Sequence, residues 1–144
     1  MTSTQDSTYP GSCHCGGIGF LYRTTQSPEK WNIRACQCTF CRTHAALSTS
    51  DPAGQIEFRF GPTLNRYKFG KHTADFLVCR ECGVFIGAMM ESASGSFGII
   101  NVNALNPQLM AFTAAAPMDY GSETQEQRTA RREERWSPLA LAGV

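Results

Sequence analysis

Apolar residues recur at every second position in several short stretches of the chain. Ile18, Phe20 and Tyr22 alternate with Gly19, Leu21 and Arg23, the period of a half-buried strand. Ile56, Phe58 and Phe60 alternate with Glu57 and Arg59 until Gly61-Pro62 breaks the run. Tyr67 and Phe69 precede a break at Gly70, and Ala74 to Val78, Val84 to Met90 and Phe97 to Val102 are further strand candidates. The separators are rich in Gly, Ser and Asn, as antiparallel connections should be. Residues 13 to 112 hold no helix-period segment of useful length and no β-α-β alternation. The pattern predicts a mainly β domain of antiparallel sheets.

The flanks read differently. Residues 1 to 12 form a polar lead ending in Pro10-Gly11 and are expected to be mobile. Residues 113 to 144 form a C-terminal extension that is part helical. Ser122 followed by Gln125 resembles a capping box, and Glu123 and Glu126 are acids where a helix start prefers them. Arg128, Arg131, Arg132 and Arg135 follow, and Ser137-Pro138 would stop the helix. A basic helix can touch phosphate. Because these arginines are interleaved with Glu133 and Glu134, the favoured expectation is a solvated surface helix.

Composition narrows the function classes. The 144 residues suit one domain. Hydrophobic residues make up 42% and charged residues 17%, which excludes a disordered polyampholyte and a coiled coil. Thirteen basic residues against twelve acidic ones give a formal charge of +1, so no electrostatic footprint for nucleic acid or an anionic membrane follows. No apolar run approaches the ~20 residues needed to span a bilayer. The first ten residues lack the basic and apolar regions of a secretory signal, and the expected compartment is the reducing cytoplasm.

That compartment changes the meaning of seven cysteines: Cys13, Cys15, Cys36, Cys38, Cys41, Cys79 and Cys82. Their odd number and their clustering as C-x-C, C-x-C-x-x-C and C-x-x-C argue against a disulfide framework and for metal or redox chemistry. In Cys79-Arg80-Glu81-Cys82-Gly83 the glycine lets the chain turn back with positive φ, so that backbone N–H groups face sulfur. Cys13-His14-Cys15-Gly16-Gly17 could supply the other half of one closed four-thiolate zinc site. Such a clamp contributes on the order of 10 kcal/mol to folding.

Cys36, Cys38 and Cys41 remain, close enough to wrap one ion from a single loop. A zinc with three protein ligands keeps a fourth position open, as catalytic sites do. Three thiolates acidify a bound water less than three histidines would, so the site suits exchange of its fourth ligand for a thiol. A thiol bound there loses its proton yet remains nucleophilic. Two alternatives stay open. His44 could close the triad with an imidazole, and four thiolates could hold an iron–sulfur cluster. A carboxylate-bearing thiol would need cations, for which Arg34, Arg42, Lys71 and His72 are candidates by chain position. His14 lies inside a cysteine pair, and Phe40 could wall the pocket or cover the metal.

The order GSCHCGGIGF, CQCTFCR and FLVCRECG resembles the glutathione-dependent formaldehyde-activating enzyme family, a group that also includes centromere protein V. The resemblance spans about residues 11 to 107, including the close INVNALNP, and all seven cysteines match. It implies a β-tent fold of antiparallel sheets and two zinc ions per chain. Cys13, Cys15, Cys79 and Cys82 would hold the structural ion, and Cys36, Cys38 and Cys41 the catalytic one. It also implies a carbon–sulfur lyase that joins glutathione and formaldehyde to S-(hydroxymethyl)glutathione. The loop after Cys41, THAALSTSDP, departs from the Thr-Gly pair and aromatic that many members carry there. A second class remains beside the enzyme: a non-catalytic zinc-binding interaction module. The fourth ligand of the triad ion separates the two.

Overall fold

The structure is a computed structural model that describes residues 6–70, 73–108 and 114–140. Lys71, His72 and the expected boundary at 112/113 lie outside the described residues. Eleven strands are present among them: β1 (Ser7–Ser12), β2 (Gly19–Thr24), β3 (Arg34–Cys36), β4 (Ser48–Thr49), β5 (Gln55–Arg59), β6 (Leu64–Tyr67), β7 (Asp75–Cys79), β8 (Phe85–Ser92), β9 (Gly95–Asn101), β10 (Ala116–Met118) and β11 (Ser137–Pro138). Two α-helices, α1 (Thr39–Thr43) and α2 (Gln125–Arg135), interrupt them.

The strands form two sheets. The smaller has the order β1-β2-β5, and the larger runs β10-β3-β4-β9-β8-β7-β6, with β11 paired to β9. Pairing is antiparallel except between β10 and β3. The mainly β class expected from alternation is therefore what the chain adopts. The lead behaves otherwise from Ser7 onward: Ser7 to Ser12 pair with Thr24 to Gly19. Its outward residues are polar and exposed, so no apolar period marked it as an edge strand. Phe60 also departs from its alternation. It lies one residue beyond β5, is 41% exposed and stacks on Phe58.

The larger sheet is buried on both faces. Leu77, Ile86 and Ile100 pack in one cluster with Phe20, Tyr22 and Phe58 of the smaller sheet. Their sequence neighbours Phe76, Phe85 and Ile99 pack in another with Cys41 and Trp136. Successive strand side chains point to opposite faces, which explains why β7, β8 and β9 read as near-continuous apolar runs. The sheets meet where the Phe58 ring lies against two glycines. A Cβ on Gly87 would sit 2.4 Å from the Ile99 carbonyl oxygen and 3.1 Å from Phe58. One on Gly98 would sit 3.0 Å from Phe58 and 2.7 Å from Leu139.

The C-terminal segment is woven into this frame. Ser137 Oγ donates to the Asp51 carbonyl at 2.9 Å and accepts from the Asp51 N–H at 2.8 Å. Ser50 Oγ donates to the Arg135 carbonyl at 2.8 Å, and Trp136 is buried. The capping box that starts α2 is Thr124 with Gln127 rather than Ser122 with Gln125. Gln127 N–H donates to Thr124 Oγ1 at 3.1 Å, and Thr124 N–H to Gln127 Oε1 at 2.9 Å. Both pairs share the S/T-x-x-Q spacing. The later start leaves Glu123 outside the helix, where it takes Arg128 and Arg131.

Adding a methyl at Gly87 forces it against backbone that cannot yield. Gly87→Ala should cost about 1–3 kcal/mol, the range of an overpacked core. Urea denaturation measures the loss, and unchanged stability would contradict the packing described.

Candidate metal and thiol sites

Two turns of matching construction carry the first sulfur cluster. Cys13 N–H donates to the Ile18 carbonyl at 3.0 Å, and Cys79 N–H to the Val84 carbonyl at 3.0 Å. Each turn has a glycine just after its second cysteine with positive φ, Gly16 at 84° and Gly83 at 79°. The positive φ expected at Gly83 is therefore present, and Gly16 repeats it. Both turns aim sulfur at a common point. The Sγ atoms of Cys13, Cys15, Cys79 and Cys82 all lie within 4.8 Å of one another. Cys13 and Cys15 are 3.8 Å apart, and Cys15 and Cys79 are 3.5 Å apart. A tetrahedral ion with metal–sulfur bonds of ~2.3 Å has sulfur–sulfur edges of roughly 3.8 Å, so the donor set fits one ion. Ile18 N–H points at Cys13 Sγ from 3.4 Å. The Thr63 hydroxyl lies 3.4 Å from Cys79 Sγ, and together with backbone N–H groups it draws that thiol down to about 6. His14 is exposed.

The second cluster grows from one loop. Cys36 ends β3, Cys38 caps the single turn of α1, and Cys41 lies within that turn. Cys41 N–H donates to Cys38 Sγ at 3.4 Å. This helix is too short to show a period, and sulfur takes the place of the usual capping oxygen, so the alternation pattern left it unseen. The three Sγ atoms also lie within 4.8 Å of one another. One thiol gives up its proton at the expense of another. A hydrogen bond from Cys41 pulls Cys36 down to about 5, and sharing with Cys36 pushes Cys41 up. Among the described residues no histidine or carboxylate joins this group. His44 packs instead against Phe40, ring centroids 4.5 Å apart, and faces Phe85.

The two clusters differ in what surrounds them. Cys36, Cys38 and Cys41 line a pocket of about 160 Å³, to which none of the other four cysteines contributes. Phe69, Phe76, Ile99 and Trp136 form its apolar wall. Of the cation candidates, Arg34 lines the pocket and Arg42 does not. Phe40 stands behind the wall, 5.2 Å from Phe69 and 5.1 Å from Phe76 between ring centroids.

The residues that sequence reading missed come from the C-terminal segment. Arg128, Arg131 and Arg132 line the same pocket, with Tyr120 beside them. The expected solvated helix thus turns one face inward. Positions i, i+3 and i+4 share a helix face, and that spacing was the available signal. Arg131 lies 3.6 Å above the Tyr120 ring centroid and holds Glu123 through two hydrogen bonds of 2.7 and 3.0 Å. Burial presses the Arg132 guanidinium down to about 10, aided by Arg131 and Arg128. Burial likewise lowers Arg34.

A mainly β frame that brings one set of four thiols into contact, and opens a set of three onto an apolar, arginine-bordered pocket, defines a narrow class of cysteine-rich proteins. Within it, the chain belongs to the glutathione-dependent formaldehyde-activating enzyme family, whose profile matches residues 8–118. A Rhodobacter sphaeroides protein of known crystal structure shares the fold, with a TM-score of 0.53 and 24% identity over 75% of this chain and 97% of that one. No helix among the described residues is long and apolar enough to cross a membrane.

The Glu123 carboxyl is held below its ordinary value chiefly by its hydrogen bond with Arg131. Its folded pKa lies below the unfolded one, so this contact stabilises above about pH 4.5 and fades as pH falls through the folded value. Glu123→Gln should cost about 1 kcal/mol at neutral pH. In urea titrations across pH, the gap between variant and wild type should narrow below 4.5, and a gap independent of pH would contradict the pairing.

Proposed function

We propose that the protein is a zinc-dependent carbon–sulfur lyase acting on a thiol adduct, resembling an S-(hydroxymethyl)glutathione synthase. One observation carries the reading: three converging sulfurs border a pocket, and among the described residues no histidine, further cysteine or carboxylate joins them within 4.8 Å. Cys13, Cys15, Cys79 and Cys82 would hold a structural zinc, closed by four protein ligands. Cys36, Cys38 and Cys41 would hold the catalytic zinc. When bound there, the ion supplies a place where a thiol sheds its proton and keeps its nucleophilicity.

The protein's own groups supply the rest. The backbone of α1 fixes Cys38 and Cys41 one turn apart, so the sulfurs are placed before any ligand arrives. Phe69, Phe76, Ile99 and Trp136 exclude water from the side facing the larger sheet. Holding a thiol and a small aldehyde in this confined space replaces a dilute encounter with a local one, an effect worth several powers of ten in rate. The substrate class favoured is glutathione with formaldehyde, supported by the family to which the chain belongs. A protein donor completing the triad would favour an interaction module instead, and His44, the nearest candidate in sequence, is turned into the aromatic cluster.

The uncatalysed addition of formaldehyde to glutathione is measurable, so the assay is exchange between free and adducted glutathione followed by NMR. Zinc-loaded wild type should accelerate exchange above the uncatalysed rate. Cys38→Ser should abolish that acceleration, lose one of two zinc equivalents by elemental analysis and retain its far-ultraviolet circular dichroism. Cys79→Ser should be insoluble or unfolded. Wild type that carries both ions without accelerating exchange would overturn the lyase reading, and soluble, fully loaded Cys79→Ser would overturn the structural role.

A further inference from the structure

Arg34 and Arg132 carry charge into the interior without a carboxylate partner among the described residues. They are only 8% and 6% exposed. Arg34 Nη2 donates to Ser50 Oγ at 2.7 Å, and Arg132 Nη1 to Thr73 Oγ1 at 2.7 Å. Arg132 Nε is buried with no acceptor. The Trp136 ring lies 4.8 Å from the Arg132 guanidinium carbon, but a hydroxyl and a ring face supply no formal counter-charge, and burying a guanidinium without one is costly. Arg128 and Arg131 do not relieve this, because they share the single carboxylate of Glu123. Four guanidinium groups thus border the pocket, set against Glu123 and Asp119. A divalent ion within three thiolates would return only one negative charge.

We propose that Arg34 and Arg132, with Arg128 and Arg131 behind them, form a carboxylate-binding site for the anionic end of a small thiol whose sulfur sits at Cys36, Cys38 and Cys41. The inference rests on the thiol-site reading above and adds to it the feature that selects the thiol. A carboxylate presents two coplanar oxygens that match a guanidinium fork, and Arg34 and Arg132 both line the pocket. The apolar wall of Phe69, Phe76, Ile99 and Trp136 takes the carbon chain between the two ends. Three of the four arginines lie on α2, beyond the residue 118 at which the family match ends. Substrate choice is therefore carried by this chain's own C-terminal segment.

The test compares 3-mercaptopropionate with 2-mercaptoethanol, which place a thiol at the same spacing from a carboxylate and a hydroxyl. Binding to the cobalt-substituted full chain is read from the sulfur-to-metal absorption. Wild type should prefer the carboxylate by roughly tenfold or more, as a charge-assisted hydrogen bond implies. Arg34→Met and Arg132→Met should each erase most of that preference while still binding 2-mercaptoethanol. If either variant does not fold, the wild-type comparison and the other variant decide. Propionate, which has no thiol, should shift the Arg132 Nε–H resonance of the zinc-loaded protein, and propionamide should not. Equal affinity for the two thiols overturns the carboxylate site and leaves the thiol reading standing. If neither thiol changes the cobalt spectrum, the thiol reading fails, and propionate alone then decides: a shift supports the carboxylate site and its absence overturns it.

Discussion

The convergence of four sulfurs at one point is the constraint on which the rest of the molecule depends. Cys13 follows β1 of the smaller sheet, and Cys79 ends β7 of the larger one. Their shared centre therefore ties the two sheets at their ends. Thiolates this close repel one another, and a cation placed among them converts that repulsion into attraction. With the ends tied, the Phe58 ring packs close to Gly87 and Gly98, and the core closes between the sheets. The larger sheet then presents its other face to α1 and to the C-terminal segment.

The contrast between the two clusters follows from how each is built. The closed one takes two donors from each of two turns, and the matching hydrogen bonds of Cys13 and Cys79 make those turns near copies. Two rigid halves fill a tetrahedron from opposite sides. The open one takes all its donors from six consecutive residues, so they approach from one side. The remaining direction faces a pocket whose far border is furnished by α2. β3 thus carries both Cys36 and Arg34, and α2 adds three more guanidinium groups. Ser137 with Asp51, Ser50 with Arg135, and the pairing of β11 with β9 hold this segment in place.

Much of this was legible in the chain. The strands at Ile18–Tyr22, Ile56–Arg59 and Phe85–Met90 were visible because each buries one face or both. The cysteine spacings divided four from three, and the sulfurs gather in those two groups. Ser7–Ser12 was not visible, since Tyr9 is its one large apolar side chain and a single ring, here packed on Trp31, sets no period. α1 was not visible because one turn capped by sulfur has no period. The inward arginines of α2 were hidden for a different reason. Their interleaving with Glu133 and Glu134 looks like a solvated face, and the Arg132 side chain is covered by Trp136 and Thr73, which lie outside the helix.

The pairing of β11 with β9 has a consequence for biosynthesis. Residues 13 to 82 carry all seven cysteines and emerge from the ribosome before the segment from Tyr120 to Pro138. Both thiol clusters can therefore assemble on a nascent chain whose pocket is still missing one side. Until β11 docks, Cys36, Cys38 and Cys41 lack the side of the pocket that α2 and Trp136 supply in the finished fold.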